Sequence, residues 1–182
     1  MTPALYFIIK TLAQLYLLLL LLRFWLPWLR ADFRNPVAQG ILRFTSPLIV
    51  PLRRFLPAIG RIDTATLLVA FAIQFVTVVV LLAIFRRQVD MLTVALVSVI
   101  ELVILSLNLF FFAILIRIVL SWIAPNSYNP ITALLTTLSE PVLRPFRRVV
   151  PSIGGLDISP VFALVLLQAL VILLQSLKPV PV

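Results

Sequence analysis

Four long apolar runs constrain this chain more than any other feature of its sequence. They extend over residues 4–28, 67–85, 94–123 and 161–177, and they are rich in leucine. A membrane-spanning helix needs about 20 mostly apolar residues to cross the hydrocarbon core of a bilayer, so each run predicts one span. The runs are too long, and alternate too little between apolar and polar residues, for the strands of an outer-membrane barrel. The sequence therefore predicts an all-α membrane protein with four transmembrane helices.

The composition agrees with a membrane protein and excludes much catalytic chemistry. Of the 182 residues, 63% are hydrophobic and 12% are charged, whereas soluble domains have about 45–50% apolar and about 25% charged residues. The chain contains no cysteine and no histidine. Disulfides, zinc sites built from these residues and catalytic triads with an imidazole base are therefore excluded. We expect a protein that is not an enzyme and has no catalytic, cofactor or metal site.

An internal repeat becomes visible when the chain is aligned with itself at an offset of 94 residues. Without any gap, this offset superposes uncommon residue types such as tryptophan, paired arginines, aspartate and glutamine. The superposed residues are Arg23 and Arg117, Trp28 and Trp122, Asn35-Pro36 and Asn129-Pro130, Pro47 and Pro141, Pro51 and Pro145, Arg53-Arg54 and Arg147-Arg148, Pro57 and Pro151, Ile59-Gly60 and Ile153-Gly154, Asp63 and Asp157, and Gln74 and Gln168. The sequence thus predicts two helix-loop-helix repeats, residues 1–88 and 89–182, which are parallel because each contains an even number of spans.

The loop of each repeat begins with Asn-Pro, which suits the start of a helix because asparagine caps and proline fits the first turn. Apolar residues then recur at helical spacing, namely Val37, Ile41, Phe44 and Leu48 in one loop and Ile131, Leu134, Leu135, Leu138 and Val142 in the other. We expect a short interfacial amphipathic helix in each loop, too short to span the membrane and ending near Pro47 or Pro141. An extended Pro-x-Arg-Arg segment should then follow the headgroups.

Both loops share one longer pattern: Asn-Pro, an apolar stretch, Pro-x-x-x-Pro-x-Arg-Arg-x-x-Pro, Ile-Gly and an aspartate before the next span. This pattern resembles the YggT family of small integral membrane proteins, whose relatives include the YlmG proteins of Gram-positive bacteria, cyanobacteria and plastids. The resemblance covers nearly the whole chain as two tandem copies, although residues 63–66 depart from the family's Asp-x-Ser-Pro ending that residues 157–160 match. It implies a link to osmotic or extracytoplasmic stress, or to cell division and membrane-complex organisation. It implies no reaction.

The distribution of basic residues predicts the orientation in the membrane. The two long loops together carry Arg30, Arg34, Arg43, Arg53, Arg54, Arg61, Arg144, Arg147 and Arg148, whereas the opposite side carries Arg86, Arg87 and Lys178. By the positive-inside rule, the loops are cytoplasmic and the termini external in a bacterial inner (plasma) membrane. The net charge of +9 favours contact with anionic lipids and not with nucleic acid, because no aromatic-basic stacking pattern lies in a polar region.

The paired arginines are the first candidate site. Arg53, Arg54, Arg147 and Arg148 either bind lipid phosphates or an acidic partner, or they only fix the topology and anchor the loops. Two aspartates follow them in the chain. Asp63 and Asp157 either complement the positive end of the next helix or form ion pairs with the neighbouring arginines.

Polar side chains inside the spans form the second candidate site, because such residues are costly in hydrocarbon. Gln14 aligns with Asn108, and Gln74 aligns with Gln168. The repeat axis can bring these amides together, either as hydrogen-bonded packing contacts or as a polar path for a cation or water.

One further pair of polar residues in the spans has no counterpart in the other repeat. Lys10 and Glu101 lie 13 and 16 residues before the aligned Arg23 and Arg117. Their depths in the membrane then differ by only about 4.5 Å, which predicts an ion pair between them.

Two classes of function follow from these features. The first is a non-enzymatic accessory or organising factor of the bacterial envelope, linked to stress or cell division, whose Pro-Arg-Arg loops bind lipid headgroups or an acidic partner. The second is a small channel, or a pathway for osmolytes or ions, formed by the bundle or its oligomer. The expected partners are anionic membrane lipids and a second membrane protein, and self-association is a further expectation.

Overall fold

In a computed structural model of the protein, residues 2–56, 58–60, 62–123, 129–150 and 157–180 are described. These residues form six helices and no strand. The helices are α1 (Thr2–Trp28), α2 (Pro36–Arg53), α3 (Thr64–Ile84), α4 (Met91–Ile123), α5 (Pro130–Val149) and α6 (Ser159–Ser176).

Four of the helices, α1, α3, α4 and α6, are long and apolar enough to cross a membrane. They coincide with the four apolar runs to within a few residues at each end. The predicted all-α fold with four transmembrane helices is therefore confirmed, and the chain is a multi-pass membrane protein.

The two remaining helices, α2 and α5, lie in the loops and begin at the Asn-Pro pairs. The side chain of Asn35 accepts a hydrogen bond from the backbone N–H of Val37 at 2.8 Å. Asn129 accepts one from the N–H of Thr132 at 2.9 Å, and the Thr132 hydroxyl accepts one from the N–H of Asn129 in return. In both loops a side-chain cap thus satisfies backbone groups that the first helical turn leaves unpaired.

The predicted ends of these two helices are wrong. They do not stop near Pro47 and Pro141, and no extended Pro-x-Arg-Arg segment follows, because α2 continues to Arg53 and α5 to Val149. Four prolines inside them are exposed, namely Pro47, Pro51, Pro141 and Pro145. Each proline leaves one helical hydrogen bond unmade, yet the opposite face of each helix continues to bury apolar residues beyond the first proline.

The apolar residues that are buried after the first proline of each helix are Ile49 in α2 and Leu143 in α5, which are 0% and 1% exposed. Ile49 packs in an apolar cluster with Leu17 and Leu20 of α1 and with the start of α3. Leu143 belongs to a second cluster formed by residues of all the helices except α3. Both loop helices are consequently fixed against the ends of the spans, where their polar residues can meet those of the spans.

The spans pack in two pairs, α1 with α3 and α4 with α6, and α3 also contacts α4. The loop helix α2 packs against α1 and α3, and α5 packs in the same way against α4 and α6. The loops also touch each other, since the Asn35 side chain donates a hydrogen bond to the carbonyl of Pro130 at 2.6 Å. The two loops therefore lie side by side at one end of the bundle.

Two spans end in the same left-handed turn. Arg30 after α1 and Arg86 after α3 have φ angles of 54° and 51°, a region that favours glycine. In each case the next residue donates its N–H to a carbonyl five positions earlier, from Ala31 to Leu26 and from Arg87 to Leu82. These bonds satisfy carbonyls that the helix end leaves free, as in a Schellman motif.

Candidate functional site

A buried arginine lies at the centre of the first repeat. Arg23, in the last part of α1, is only 3% exposed. Its Nη1 donates to the carbonyl of Leu42 at 3.2 Å, to the Thr45 hydroxyl at 2.8 Å and to the Ser46 hydroxyl at 3.1 Å. All three acceptors lie on α2, so this side chain attaches the loop helix to the first span.

The charge of Arg23 is balanced by Asp63, the residue that caps α3. The Nε of Arg23 lies 3.7 Å from Oδ2 of Asp63, and both side chains are almost fully buried. Asp63 also accepts hydrogen bonds from Arg53 and from the N–H and hydroxyl of Thr66. The aspartate is therefore both a helix cap and an ion-pair partner, so the two alternatives for this residue type are combined here. Within the described part of the chain, one buried side-chain nitrogen, the Nε of Arg23, has no hydrogen-bond partner.

The second repeat builds a related network from the aligned residues. Arg117 donates to the Ser139 hydroxyl at 2.7 Å and to Glu140 at 3.0 Å. Arg147 donates to Asp157 at 2.8 Å and to Glu140 at 2.9 Å. Asp157 in turn accepts the N–H of Ser159 at 3.0 Å, so it too combines the start of a span with an ion pair.

The two networks differ in charge and in exposure. The first has two arginines and one carboxylate, because Ser46 stands where the second repeat has Glu140. The second has two arginines and two carboxylates and is therefore neutral. The side chains of Arg23 and Asp63 are 4% and 5% exposed, whereas those of Arg117 and Asp157 are 26% and 42% exposed. The Arg23–Asp63 pair is therefore sealed inside the protein, whereas Arg53 at its outer side is 47% exposed. The second network is at least partly exposed at each of its charged side chains.

These contacts keep the carboxylates ionised. Burial works against ionisation of Asp63, yet hydrogen bonds from Arg53 and Thr66 outweigh it and hold the pKa of Asp63 below its usual value. Partial burial is likewise outweighed at Glu140, where Arg117 and Arg147 lower the pKa, and at Asp157, where Ser159 and Arg147 do so. Each network is thus a set of fully charged groups near neutral pH.

The structure divides each predicted Arg-Arg pair into two roles. Arg53 and Arg147 hold the aspartates, as described above. Arg54 and Arg148 are exposed, and their side chains make no ion pair or hydrogen bond within the described part of the chain.

The four aligned amides are not joined to one another. No hydrogen bond among the described residues links any two of Gln14, Gln74, Asn108 and Gln168. Gln74 is buried, 8% exposed, whereas its counterpart Gln168 is exposed. The repeat relation therefore does not give these two glutamines the same surroundings.

The predicted ion pair of Glu101 is formed by a different lysine. Lys178, just beyond α6, donates to Glu101 at 2.7 Å, and the two side chains are 13% and 12% exposed. Lys10 instead donates to the hydroxyl of Tyr6, one helical turn away, at 3.0 Å. The matching depths of Lys10 and Glu101 did not place them side by side, because depth alone does not fix which side of a helix a residue occupies.

The residues that organise both networks, Arg23 and Arg117, were used in the sequence comparison only as markers of the repeat. The signal that identifies them is simple: each is an arginine inside an apolar run, and such residues are rare unless they are paired. Their hydroxyl partners, Thr45 and Ser139, occupy aligned positions as well.

Comparison with known proteins agrees with this duplicated architecture. A family model described as CCB3/YggT matches residues 2–84 and again residues 96–177. No solved structure gives a significant match.

Several relatives are similar over most of the chain. The uncharacterized protein PA0392 of Pseudomonas aeruginosa is 46% identical over 92% of this chain and 85% of its own length. The uncharacterized protein YggT of Escherichia coli K12 is 36% identical over 90% of this chain and 85% of its own length. A shorter match joins 35% of this chain to 25% of the YlmG homolog protein 2, chloroplastic, of Arabidopsis thaliana, at 40% identity. The chain belongs to the CCB3/YggT family and contains two tandem copies of the family unit.

Proposed function

We propose that this protein is a non-enzymatic accessory or organising factor of the bacterial inner membrane, whose loop helices bind anionic lipid headgroups. The proposal rests on one observation: the two arginines of each Arg-Arg pair have different roles. One arginine is held by an aspartate and stabilises the fold, and the other, Arg54 or Arg148, is exposed without an acidic partner among the described residues.

The surroundings of these arginines suit a membrane surface. Arg43 in α2 and Arg144 in α5 are also exposed, and α2 contains no acidic residue. Each arginine near an anionic leaflet contributes about 1 kcal/mol to lipid attraction. Large apolar side chains flank them, since Phe44 is 72% exposed and Phe55 is 82% exposed. Basic and apolar residues combined on one helix are typical of helices that lie in the interface.

The orientation that we propose places these helices in the cytoplasmic leaflet, with the termini outside, as the arginine distribution predicts. In this position the exposed arginines meet anionic lipids or the acidic surface of a membrane-protein partner. A role in osmotic or extracytoplasmic stress, or in cell division, would then depend on organising lipids or partners around the two loops.

Tryptophan quenching by brominated lipids tests the lipid part of this proposal. Trp28 and Trp122 end α1 and α4 beside the loops, and they are 43% and 75% exposed. In mixed bilayers, brominated phosphatidylglycerol should quench them more than brominated phosphatidylcholine. The double variant Arg54→Gln, Arg148→Gln should reduce this preference about fivefold at each loop, the equivalent of about 1 kcal/mol.

A matched control carries the same loss of charge at the other end of the bundle. Arg86 and Arg87 are also an exposed pair, so Arg86→Gln with Arg87→Gln should leave the quenching preference unchanged. Equal effects of the two double variants would refute headgroup binding by the loops. Potassium flux into liposomes that is abolished by Gln14→Leu with Asn108→Leu would instead favour the channel alternative.

A further inference from the structure

The open network of the second repeat borders a cavity of about 430 Å³. Its polar lining comes from Arg117, Arg147, Asp157 and Ser121. Its other walls are apolar residues of α4, α5 and α6, and Ile158 just before α6. The cavity lies where α4 ends and α6 begins, and the exposed ring of Trp122 forms part of its edge. Tryptophan at a helix end marks the headgroup level of a bilayer, and this volume lies within the range of small-molecule sites.

Both arginines that line this cavity keep hydrogen-bond donors unused. Arg117 uses only Nη1 for Ser139 and Glu140, so its Nε and Nη2 remain unused. Arg147 uses Nε and Nη1, so its Nη2 also remains unused. The two guanidinium groups therefore have three nitrogens whose N–H groups are unused. Such donors can bind the oxygens of a phosphate through charge-assisted hydrogen bonds.

The first repeat shows that the fold does not require the charged residues to line a cavity. At the aligned site, the Thr66 hydroxyl bonds to Asp63 at 2.6 Å and the two charged side chains are almost fully buried. In the second repeat, Pro160 replaces Thr66 and offers no hydroxyl, and Asp157 is 42% exposed. A cavity of about 600 Å³ lies at the corresponding helix ends of the first repeat, where Phe24, Thr64 and Leu67 are among its lining residues, but no charged side chain lines it. The charged lining is therefore what distinguishes the cavity of the second repeat.

We propose that this cavity binds the phosphoethanolamine headgroup of a membrane phospholipid. The phosphodiester would accept hydrogen bonds from the free nitrogens of Arg117 and Arg147, and the ammonium group would donate to Asp157. The network is neutral before binding, because Glu140 and Asp157 balance the two arginines. A zwitterionic headgroup keeps it neutral, whereas an anionic headgroup adds an uncompensated negative charge.

This inference refines the lipid binding proposed above but uses different arginines, so the two can fail separately. Native mass spectrometry of the detergent-solubilised protein, titrated with phosphatidylethanolamine, phosphatidylcholine, phosphatidylglycerol or inorganic phosphate, tests it. We expect one retained phosphatidylethanolamine per chain, at least tenfold weaker retention of the other two lipids, and no effect of inorganic phosphate. Retention should persist in the Arg54→Gln, Arg148→Gln variant.

Two variants probe the cavity in different ways. Ser121→Phe fills it without removing a charge, and it should reduce phosphatidylethanolamine retention at least tenfold. Val119→Phe adds the same ring to the same helix at a residue outside the cavity lining, so retention should be unchanged. Asp157→Asn should remove the preference for phosphatidylethanolamine over phosphatidylcholine while one lipid remains bound.

Three results would overturn the assignment. Preferred retention of phosphatidylglycerol would show that the cavity acts as an anion site for lipids. Competition by inorganic phosphate would show that the ligand is a free anion. Unchanged retention in Ser121→Phe would place the lipid elsewhere on the protein.

Discussion

Replacing Asp63 by asparagine tests the buried network of the first repeat. Arg23 and Asp63 are 3% and 4% exposed, and Arg23 Nε lies 3.7 Å from Asp63 Oδ2. At that separation two unit charges interact by about 4.5 kcal/mol with an effective dielectric constant of about 20. Asparagine can still cap α3 and accept hydrogen bonds, but it leaves the charge of Arg23 uncompensated inside a span. We expect the free energy of unfolding to fall by about 3–5 kcal/mol, the usual cost of removing one partner of a buried pair.

The second repeat supplies the matched control, Asp157→Asn. The side chain of Asp157 is 42% exposed, and Arg147 keeps Glu140 as a partner at 2.9 Å. Solvent screens such a pair, and exposed pairs contribute about 0–1 kcal/mol. The same chemical change at two aligned residues should therefore differ by at least about 2 kcal/mol.

Reversible unfolding by sodium dodecyl sulfate in mixed micelles, followed by tryptophan fluorescence, measures both free energies. Equal losses for the two variants would refute the argument that burial decides the outcome. A double variant checks the pair itself, because Arg23→Met in the Asp63→Asn background removes the stranded charge. It should recover part of the lost stability, whereas strictly additive losses would show that Arg23 and Asp63 do not interact.

Three other predictions concern pH, a helix end and the remote ion pair. Glu140 and Asp157 have lowered pKa values in the folded protein. Their ionised forms therefore stabilise the fold fully at pH values above the ordinary pKa of a carboxyl group, and this stabilisation is lost as the pH falls through the lowered pKa values. Unfolding free energy should be flat between pH 7 and pH 5, should fall below about pH 4, and should fall less steeply in Glu140→Gln. Arg86→Gly should raise the thermal midpoint in detergent, with a gain of up to about 1 kcal/mol, because Arg86 has a positive φ of 51° that glycine adopts without strain. A double-mutant cycle of Lys178→Met with Glu101→Gln should give a coupling of about 1–3 kcal/mol, whereas a coupling near zero would contradict the contact at 2.7 Å.

The number and limits of the spans could be predicted because they depend on local hydropathy alone. A run of about 20 apolar residues has few alternatives to a membrane-spanning helix. The starts of the loop helices were also predictable, since Asn-Pro is a local signal. Their ends were not, because packing of Ile49 and Leu143 against distant residues outweighs the local cost of the prolines.

The candidate site was predictable only in part, for geometric reasons. The repeated pattern drew attention to Arg53 and Arg147, but it gave no means of separating the arginine that binds an aspartate from its exposed neighbour. The partner of Glu101 was missed because Lys178 is 77 residues away in the sequence. That contact depends on how α6 returns alongside α4, which the depth of a residue in the membrane does not reveal.

Local differences between the two repeats explain why one chain contains both a buried Arg23–Asp63 pair and an open network. The aligned arginines Arg23 and Arg117, and the aspartates that follow, are retained in both repeats, and they attach each loop helix to its spans. The substituted positions, Ser46 against Glu140 and Thr66 against Pro160, change the charge balance and the closure of the site without changing the framework. In the second repeat, Arg117 and Arg147 hold α5 in place and still keep donors unused. The headgroup site that we propose would therefore use the same side chains that attach α5 to the bundle, and the aligned contacts of the first repeat would remain purely structural.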